Sequence, residues 1–211
     1  MADGFKRHPL FARLYMRSSE GAEQRGGTEH RSELLDGLTG SVIEVGAGNG
    51  LNFAHYPAGV ERLVAVEPEP ILRDAARAAA AEARVPVEVV DGVAERLPAE
   101  DASFDAGVAC LVLCTIDAAA ALAELRRVIK PGGELRFYEH VVSHRRGLAA
   151  AQRFADRTFW PHVAGGCHAS RDTAAAIEQA GFAIESCRRF GFSPAPVLPS
   201  VPHILGRAHV P

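Results

Sequence analysis

The chain alternates short apolar runs with amphipathic stretches, and glycine or proline stands at most of the boundaries between them. Five runs rich in β-branched residues predict strands. They cover residues 41–45, 62–66, 87–90, 104–113 and 134–142. Between them, an alanine-rich stretch over 71–84 and a stretch from Asp117 to Val128 predict helices, the second capped by Asp117 and ended by a Pro-Gly-Gly turn.

Strands that alternate with helices predict an α/β fold with a parallel sheet, because a parallel connection needs a crossover long enough to hold a helix. The pattern therefore indicates a Rossmann-like, doubly wound sheet. The last two apolar runs, 182–189 and 203–210, are joined by a proline-rich loop over 194–202 and not by a helix. They predict an antiparallel C-terminal edge and a total of seven strands.

The segments at either side of this body predict helices that lie near the sheet. Residues 1–27 form an N-terminal extension, with a short helix or two followed by a loop over 4–27. Residues 146–181 form a helical insertion near the ligand pocket, with helices over 148–160 and 170–180 broken at the Gly165-Gly166 pair. The length of 211 residues fits a single domain over 1–211.

The amino-acid composition indicates a globular protein and argues against several other classes. Hydrophobic residues make up 47% of the chain and charged residues 23%, which is typical of a globular domain. The net charge of -3, without a block of basic residues, argues against a nucleic-acid partner. We expect a cytoplasmic protein without an integral membrane segment, since no apolar run approaches the roughly 18 residues of a membrane span and the first residues lack the apolar core of a signal peptide.

A glycine cluster directly follows the first strand. In Glu44-Val45-Gly46-Ala47-Gly48-Asn49-Gly50, the glycines let the chain turn sharply and let a ligand approach the main chain. Such a loop lies where open α/β sheets bind ligands. Leu51 stands where a dinucleotide-binding motif has its last glycine or alanine, and no Gly-Lys-Ser/Thr follows, so nicotinamide and P-loop nucleotide sites are disfavoured.

Glu67 ends the second strand, 17 residues after Gly50. A carboxylate at this position of the topology can accept hydrogen bonds from both hydroxyls of a ribose. Glu67 could instead simply begin the next helix. Together with Glu44 and the glycines, the first interpretation is favoured, which indicates a nucleoside ligand without a pyrophosphate.

Over residues 35–145 these motifs resemble the class I methyltransferases that use S-adenosyl-L-methionine and release S-adenosyl-L-homocysteine. The resemblance implies a cofactor site in which the glycine loop holds the methionine end and Glu67 with Pro68 the ribose. It places the turn after the third strand beside the adenine and the end of the fourth strand beside the sulfonium. The residues so implied are Glu44, Gly46, Ala47, Gly48, Gly50, Glu67, Pro68, Asp91, Gly92, Val93, Ala94, Cys110 and Leu111.

One residue departs from that family pattern. Many members have an aspartate at the position of Val93 to receive the adenine amino group. Here Asp91, Glu95 or a main-chain carbonyl would have to accept that hydrogen bond.

The second half resembles a narrower branch, the methyltransferase-like seven proteins, which methylate small alkyl thiols. The segments that carry this similarity are Cys110-Leu111-Val112-Leu113-Cys114, Phe137-Tyr138-Glu139-His140-Val141, Trp160, Gly166-Cys167 with Ser170-Arg171, and Pro202-His203-Ile204 with Gly206. The resemblance implies a small, apolar acceptor, with a thiol favoured. The alternatives are a C- or O-methyltransferase acting on a quinone, lipid or secondary metabolite, and a non-catalytic cofactor-binding subunit.

A general base would help such a transfer only modestly, because a thiol of pKa near 8.5 is already about 3% ionised at pH 7. His140, at the end of the fifth strand, is the candidate catalytic residue, ahead of Asp91 and His168. It could equally hold the pocket's shape. The four cysteines match no zinc-knuckle spacing, so no metal site is expected. The sequence is silent on oligomeric state.

Overall fold

A computed structural model describes residues 9–193 and 200–211. Its centre is a seven-stranded sheet in the order β3-β2-β1-β4-β5-β7-β6. β1 to β5 are parallel, while β7 runs antiparallel to both β5 and β6. The strands are β1 (Gly40–Val45), β2 (Val60–Val66), β3 (Val87–Val90), β4 (Phe104–Cys110), β5 (Ile129–His140), β6 (Ala183–Phe192) and β7 (Val201–His209). The expected α/β class, the seven strands and the antiparallel C-terminal edge are confirmed.

Seven α-helices accompany the sheet in the described residues. They are α1 (Pro9–Ala22), α2 (Thr28–Leu35), α3 (Pro70–Ala81), α4 (Ala118–Val128), α5 (Arg146–Thr158), α6 (Trp160–Val163) and α7 (Thr173–Gln179). Two hydrophobic clusters cover the two faces of the sheet. One packs α4 and α7 against Phe137, and the other packs α2 and α3 against Tyr138. Neighbouring residues of β5 thus anchor opposite faces, as the alternation of side chains along a strand requires.

The N-terminal segment contains more helix than the sequence indicated. Where a loop was expected near its glycine-rich end, the chain only kinks at Gly26, whose φ is 113°, and then continues as α2. α2 is hard to recognise from its pattern because its sequence, TEHRSELL, is mostly polar. Residues 1–8 lie outside the described part of the chain, as do residues 194–199 of the expected proline-rich loop.

Strand boundaries also differ from expectation, notably at β4 and β5. β4 ends at Cys110 and not at residue 113, because Leu111 takes a left-handed conformation with φ of 56° and leaves the sheet. β5 begins at Ile129, ahead of the Pro-Gly-Gly turn, and its pairing with β4 shifts register there. The early turn after β4 matters for the site, because it directs the loop between β4 and α4 across the carboxyl ends of the strands.

Candidate functional site

A cavity of about 620 Å³ lies at the carboxyl ends of β1, β2 and β4. This volume is within the usual range for a small-molecule site. Its wall combines the glycine loop, the ends of β2 and β4, the loop before α4, helix α1 and the turn after α6. The lining residues are Phe11, Ala12, Tyr15, Gly46, Gly48, Glu67, Pro68, Glu69, Leu72, Val93, Ala94, Glu95, Cys110, Leu111, Val112, Thr115, Ile116, Asp117, Gly165 and Gly166.

The loop after β1 has three glycines with positive φ, and Gly46 and Gly48 are the two that line the cavity. Gly46 has a φ of 64°, and a Cβ there would lie 2.3 Å from Cγ2 of Val112. Gly48 has a φ of 59°, and its Cβ would meet the ring of Tyr15 at 3.4 Å. Both glycines line the cavity, so a side chain at either one would occupy ligand space as well as strain the backbone.

Glu67 joins the glycine loop to the end of β2. Its Oε2 accepts the N–H of Gly48 at 2.8 Å, and its Oε1 accepts the N–H of Glu69 at 2.8 Å. Burial raises the pKa of Glu67 to about 7, against the opposing effect of these hydrogen bonds. Each carboxylate oxygen has a second lone pair. The side chain lines the cavity and can therefore still accept two further hydrogen bonds from a ligand.

Comparisons with known proteins agree with this architecture. A family model described as a methyltransferase domain matches residues 43–137. The thiol S-methyltransferase TMT1B of Mus musculus is 36% identical over 182 residues, which cover 82% of this chain and 73% of the mouse protein. The Homo sapiens protein of the same name is 34% identical, with coverage of 82% and 74%. A Bacillus halodurans C-125 protein assigned as a methyltransferase has the same fold, with a TM-score of 0.73 and 18% identity over 88% of this chain and 99% of that chain.

The chain belongs to the class I S-adenosylmethionine-dependent methyltransferases. Within that family it is a relative of the thiol S-methyltransferases, as the segments of its second half indicated. No helix in the ranges 9–193 and 200–211 is long and apolar enough to cross a bilayer.

Eight of the site residues expected from the sequence of this methyltransferase line one cavity. They are Gly46, Gly48, Glu67, Pro68, Val93, Ala94, Cys110 and Leu111. The other expected residues, Glu44, Ala47, Gly50, Asp91, Gly92 and His140, lie outside the lining. Ala47 and Gly50 shape the loop, since Ala47 N–H bonds to Val66 and Gly50 N–H to the carbonyl of Ala47.

Glu44 lies beneath the glycine loop in a buried polar network. Its two oxygens accept hydrogen bonds from Asn52 Nδ2 at 2.7 Å and from the Tyr56 hydroxyl at 2.9 Å. Burial raises its pKa to about 7. Arg31 of α2 donates to Asn52 Oδ1 at 2.7 Å and forms an ion pair with Glu23 at 2.8 Å. This network holds the glycine loop in place. Glu44 therefore influences the shape of the cavity through other residues and does not line it.

The turn after β3 contributes to the cavity only in its second half. Asp91 forms an ion pair with Arg73 at 3.1 Å. A Cβ at Gly92 would meet the side chains of Val66 and Pro98. Val93, Ala94 and Glu95 line the cavity instead, and Glu95 Oε1 accepts the N–H of Asp117 at 3.1 Å. Of the two acidic residues that the sequence left open as adenine acceptors, only Glu95 reaches the wall.

The sequence pattern did not indicate two features of the site. Phe11, Ala12 and Tyr15 of α1 line the cavity, and Tyr15 lies over Gly48, although no motif marks α1 as part of the site. Burial raises the pKa of Tyr15 to about 12.

Glu139 is fully buried, and its Oε1 accepts the N–H groups of Val112 and Leu113, both at 2.9 Å. It thereby holds the loop after β4 in place. The available signal was an acid beside the aromatic pair Phe137-Tyr138, one residue before the end of β5.

His140 lies at the end of β5, as expected, and contacts a cysteine. Its Nε2 is 2.8 Å from Sγ of Cys167, which also accepts a hydrogen bond from Trp160 Nε1 at 3.4 Å. Hydrogen bonds from Cys114, His140 and Trp160 lower the pKa of Cys167 to about 5. Burial by itself lowers the pKa of His140, but its contact with Cys167 raises that pKa above the ordinary value. The structure thus pairs His140 with a thiol and not with the cavity.

Proposed function

We propose that this methyltransferase transfers the methyl group of S-adenosylmethionine to a small apolar thiol. The proposal of a thiol acceptor rests on the 36% identity to a thiol S-methyltransferase over 82% of the chain. The observation that supports the cofactor is the cavity wall, in which two glycines and a carboxylate with free lone pairs face the same space. The volume of the cavity leaves room for an acceptor of modest size.

The chain's own residues fit the parts of that cofactor at the carboxyl ends of four neighbouring strands, β3, β2, β1 and β4. We assign the methionine end to Gly46 and Gly48, and the ribose hydroxyls to Glu67. We assign the adenine to the wall made by Val93, Ala94 and Glu95. The sulfonium then lies beside Leu111, whose left-handed conformation turns the chain across the end of β4.

Bound S-adenosylmethionine supplies an electrophilic methyl carbon, which a nucleophile attacks in line with the departing sulfur. The protein contributes position and exclusion of water. Phe11, Ile116 and Leu111 make much of the wall apolar. A dry wall favours a reaction in which an anionic sulfur and a cationic sulfonium both lose their charge.

Product formation tests this proposal. The purified protein is incubated with S-adenosylmethionine and a panel of alkyl thiols, phenols, quinols and amines, and S-adenosylhomocysteine is measured. Turnover with alkyl thiols and not with oxygen or nitrogen acceptors is expected. Turnover confined to phenols or quinols would favour the O- or C-methyltransferase alternative. Tight cofactor binding without turnover on any acceptor would favour a non-catalytic cofactor-binding subunit.

A further inference from the structure

Three metal-ligating atoms meet beside the cavity. They are Sγ of Cys114, Nε2 of His140 and Sγ of Cys167, all within 4.8 Å of one another. The three residues come from the loop after β4, the end of β5 and the turn before α7. Both cysteines are buried, so this is an interior cluster of soft and borderline donors and not a chance grouping of surface residues.

The donor set matches the ligand preference of Zn²⁺. Two thiolates and one imidazole, with a fourth position left open, are a known type of catalytic zinc site. Bond lengths of about 2.3 Å to sulfur and 2.1 Å to nitrogen, at a tetrahedral angle, put Nε2 and Sγ about 3.6 Å apart. The contact between His140 and Cys167 must therefore open from 2.8 Å, a shift within the reach of side-chain rotation.

The surroundings of the cluster hold the ligands in place. Trp160 Nε1 donates to the sulfur of Cys167 at 3.4 Å, a contact of the kind that supports metal ligands from outside. Asp156 accepts the N–H groups of Ala169 and Ser170 at 2.7 and 2.8 Å. His168 N–H donates to the carbonyl of Cys114 at 2.8 Å. The two cysteine-bearing segments are therefore fastened to each other without the ion.

The cluster also adjoins the cavity. Thr115 and Gly166, the chain neighbours of Cys114 and Cys167, both line it. We propose that Cys114, His140 and Cys167 bind one Zn²⁺ ion, and that the acceptor thiol becomes its fourth ligand. This second part rests on the proposed thiol acceptor, whereas the first part does not.

The ion would activate the acceptor by ionising it. On coordination the thiol releases its proton to solvent and binds as a thiolate. A lone pair of that sulfur forms the new bond to the methyl carbon, and the electron pair of the breaking carbon–sulfur bond stays with S-adenosylhomocysteine. The thioether product carries no charge, binds the ion more weakly than a thiolate and can leave.

Cobalt substitution tests the metal site. Tag-free protein is treated with a chelator, dialysed and titrated with Co²⁺, whose visible and near-ultraviolet absorption reports tetrahedral coordination and sulfur ligation. One equivalent of Co²⁺ with sulfur-to-cobalt bands is expected, and Zn²⁺ should displace it. Cys114→Ser and Cys167→Ser should each lower the intensity of those bands, because each removes one sulfur ligand. Trp160→Phe should weaken Co²⁺ binding by about tenfold or more, as loss of an outer hydrogen bond to a ligand does.

Matched controls make a negative result decisive. Cys187 lies exposed on β6 and is not a member of the cluster, so Cys187→Ser should leave the cobalt spectrum unchanged. Binding of S-adenosylhomocysteine by each variant shows that it is folded. Absence of sulfur-to-cobalt bands in the folded protein, or the same bands in a folded variant that lacks both Cys114 and Cys167, would overturn the site and leave a metal-free pair of His140 and Cys167.

Addition of an alkyl thiol tests the open position. Butanethiol should intensify the sulfur-to-cobalt band of the wild-type protein, because a third sulfur joins the ion. An unchanged spectrum at saturating thiol would overturn the acceptor part of the proposal. A changed spectrum without methyl transfer to any thiol would instead overturn the proposed function and leave the metal site standing.

Discussion

Glu67 and Gly48 are joined by a hydrogen bond of 2.8 Å between the carboxylate and the backbone N–H. The residue expected to hold the ribose therefore also sets the shape of the loop expected to hold the methionine. Because both ligand-binding elements depend on one side chain, we expect its removal to affect the two ends of the cofactor together.

Replacement of Glu67 by alanine should weaken S-adenosylhomocysteine binding by about 1.5–3 kcal/mol, the usual range for hydrogen bonds to a charged group. Isothermal titration calorimetry measures the change. The control is Glu88→Ala, which removes an exposed carboxylate that forms an ion pair with Arg62 on the neighbouring strand. Equal affinities for Glu67→Ala and Glu88→Ala would move the ribose to another part of the protein.

Gly48→Val should abolish cofactor binding while leaving a folded protein. The new side chain would meet Tyr15 in a left-handed backbone conformation and project into the cavity. Gly147→Val is the matched control, since a Cβ at Gly147 meets nothing within 4 Å. Circular dichroism establishes the fold of both variants. Normal calorimetric binding by Gly48→Val would refute the assignment of this loop.

The adenine end of the site is tested by comparing two acidic residues. Glu95→Ala should weaken binding by about 1.5 kcal/mol, or roughly tenfold, because Glu95 lines the cavity wall where the adenine amino group is assigned. Asp91→Ala should have little effect, since Arg73 still bonds to the carbonyls of Glu67 and Pro68, both at 2.9 Å. The opposite ranking of the two affinities would place the adenine nearer to Asp91.

The stability of the protein should decrease as the pH rises from about 5 to 8. Burial raises the pKa of Glu44 from 4.5 to about 7, so the folded state holds a proton that the unfolded state has already lost over this range. This contribution is complete below pH 4.5 and is lost as the pH passes 7. Glu44→Gln cannot titrate and should show a smaller fall in Tm by scanning fluorimetry. A fall equal to that of the wild type would exclude this role for Glu44.

Arg31→Ala should destabilise the fold by about 1–3 kcal/mol, because it leaves the buried amide oxygen of Asn52 without its donor and the half-buried Glu23 without its cation. Arg31 bonds to Glu23, Asn52 and Cys110 beneath the glycine loop. Urea unfolding measures the loss. Arg62→Ala, which breaks an exposed pair, should cost less than about 1 kcal/mol. Similar costs for the two variants would show that the network adds little to stability.

The core of the fold was predictable because its signals are local. β-branched runs between helical stretches indicate the strands. Two runs that are joined by a loop and not by a helix indicate an antiparallel edge, and this pattern is visible within one short segment of the chain. α2 was not predicted, since its mostly polar sequence gives no helical stripe and it is stabilised by packing of Leu34 and Leu35 against the sheet. The early end of β4 escaped prediction because Leu111 is apolar like the strand before it and leaves the sheet by its backbone conformation alone.

The sequence by itself determined the alternation of strands and helices, the glycine loop and the acid at the end of β2, because each depends on residues close together in the chain. Only the tertiary structure decided that Tyr15 covers Gly48, that Asp91 turns to Arg73 and that Cys114, His140 and Cys167 meet. These contacts join segments far apart in sequence. Their formation depends on how helices and loops pack over the sheet, which no local pattern of residues encodes.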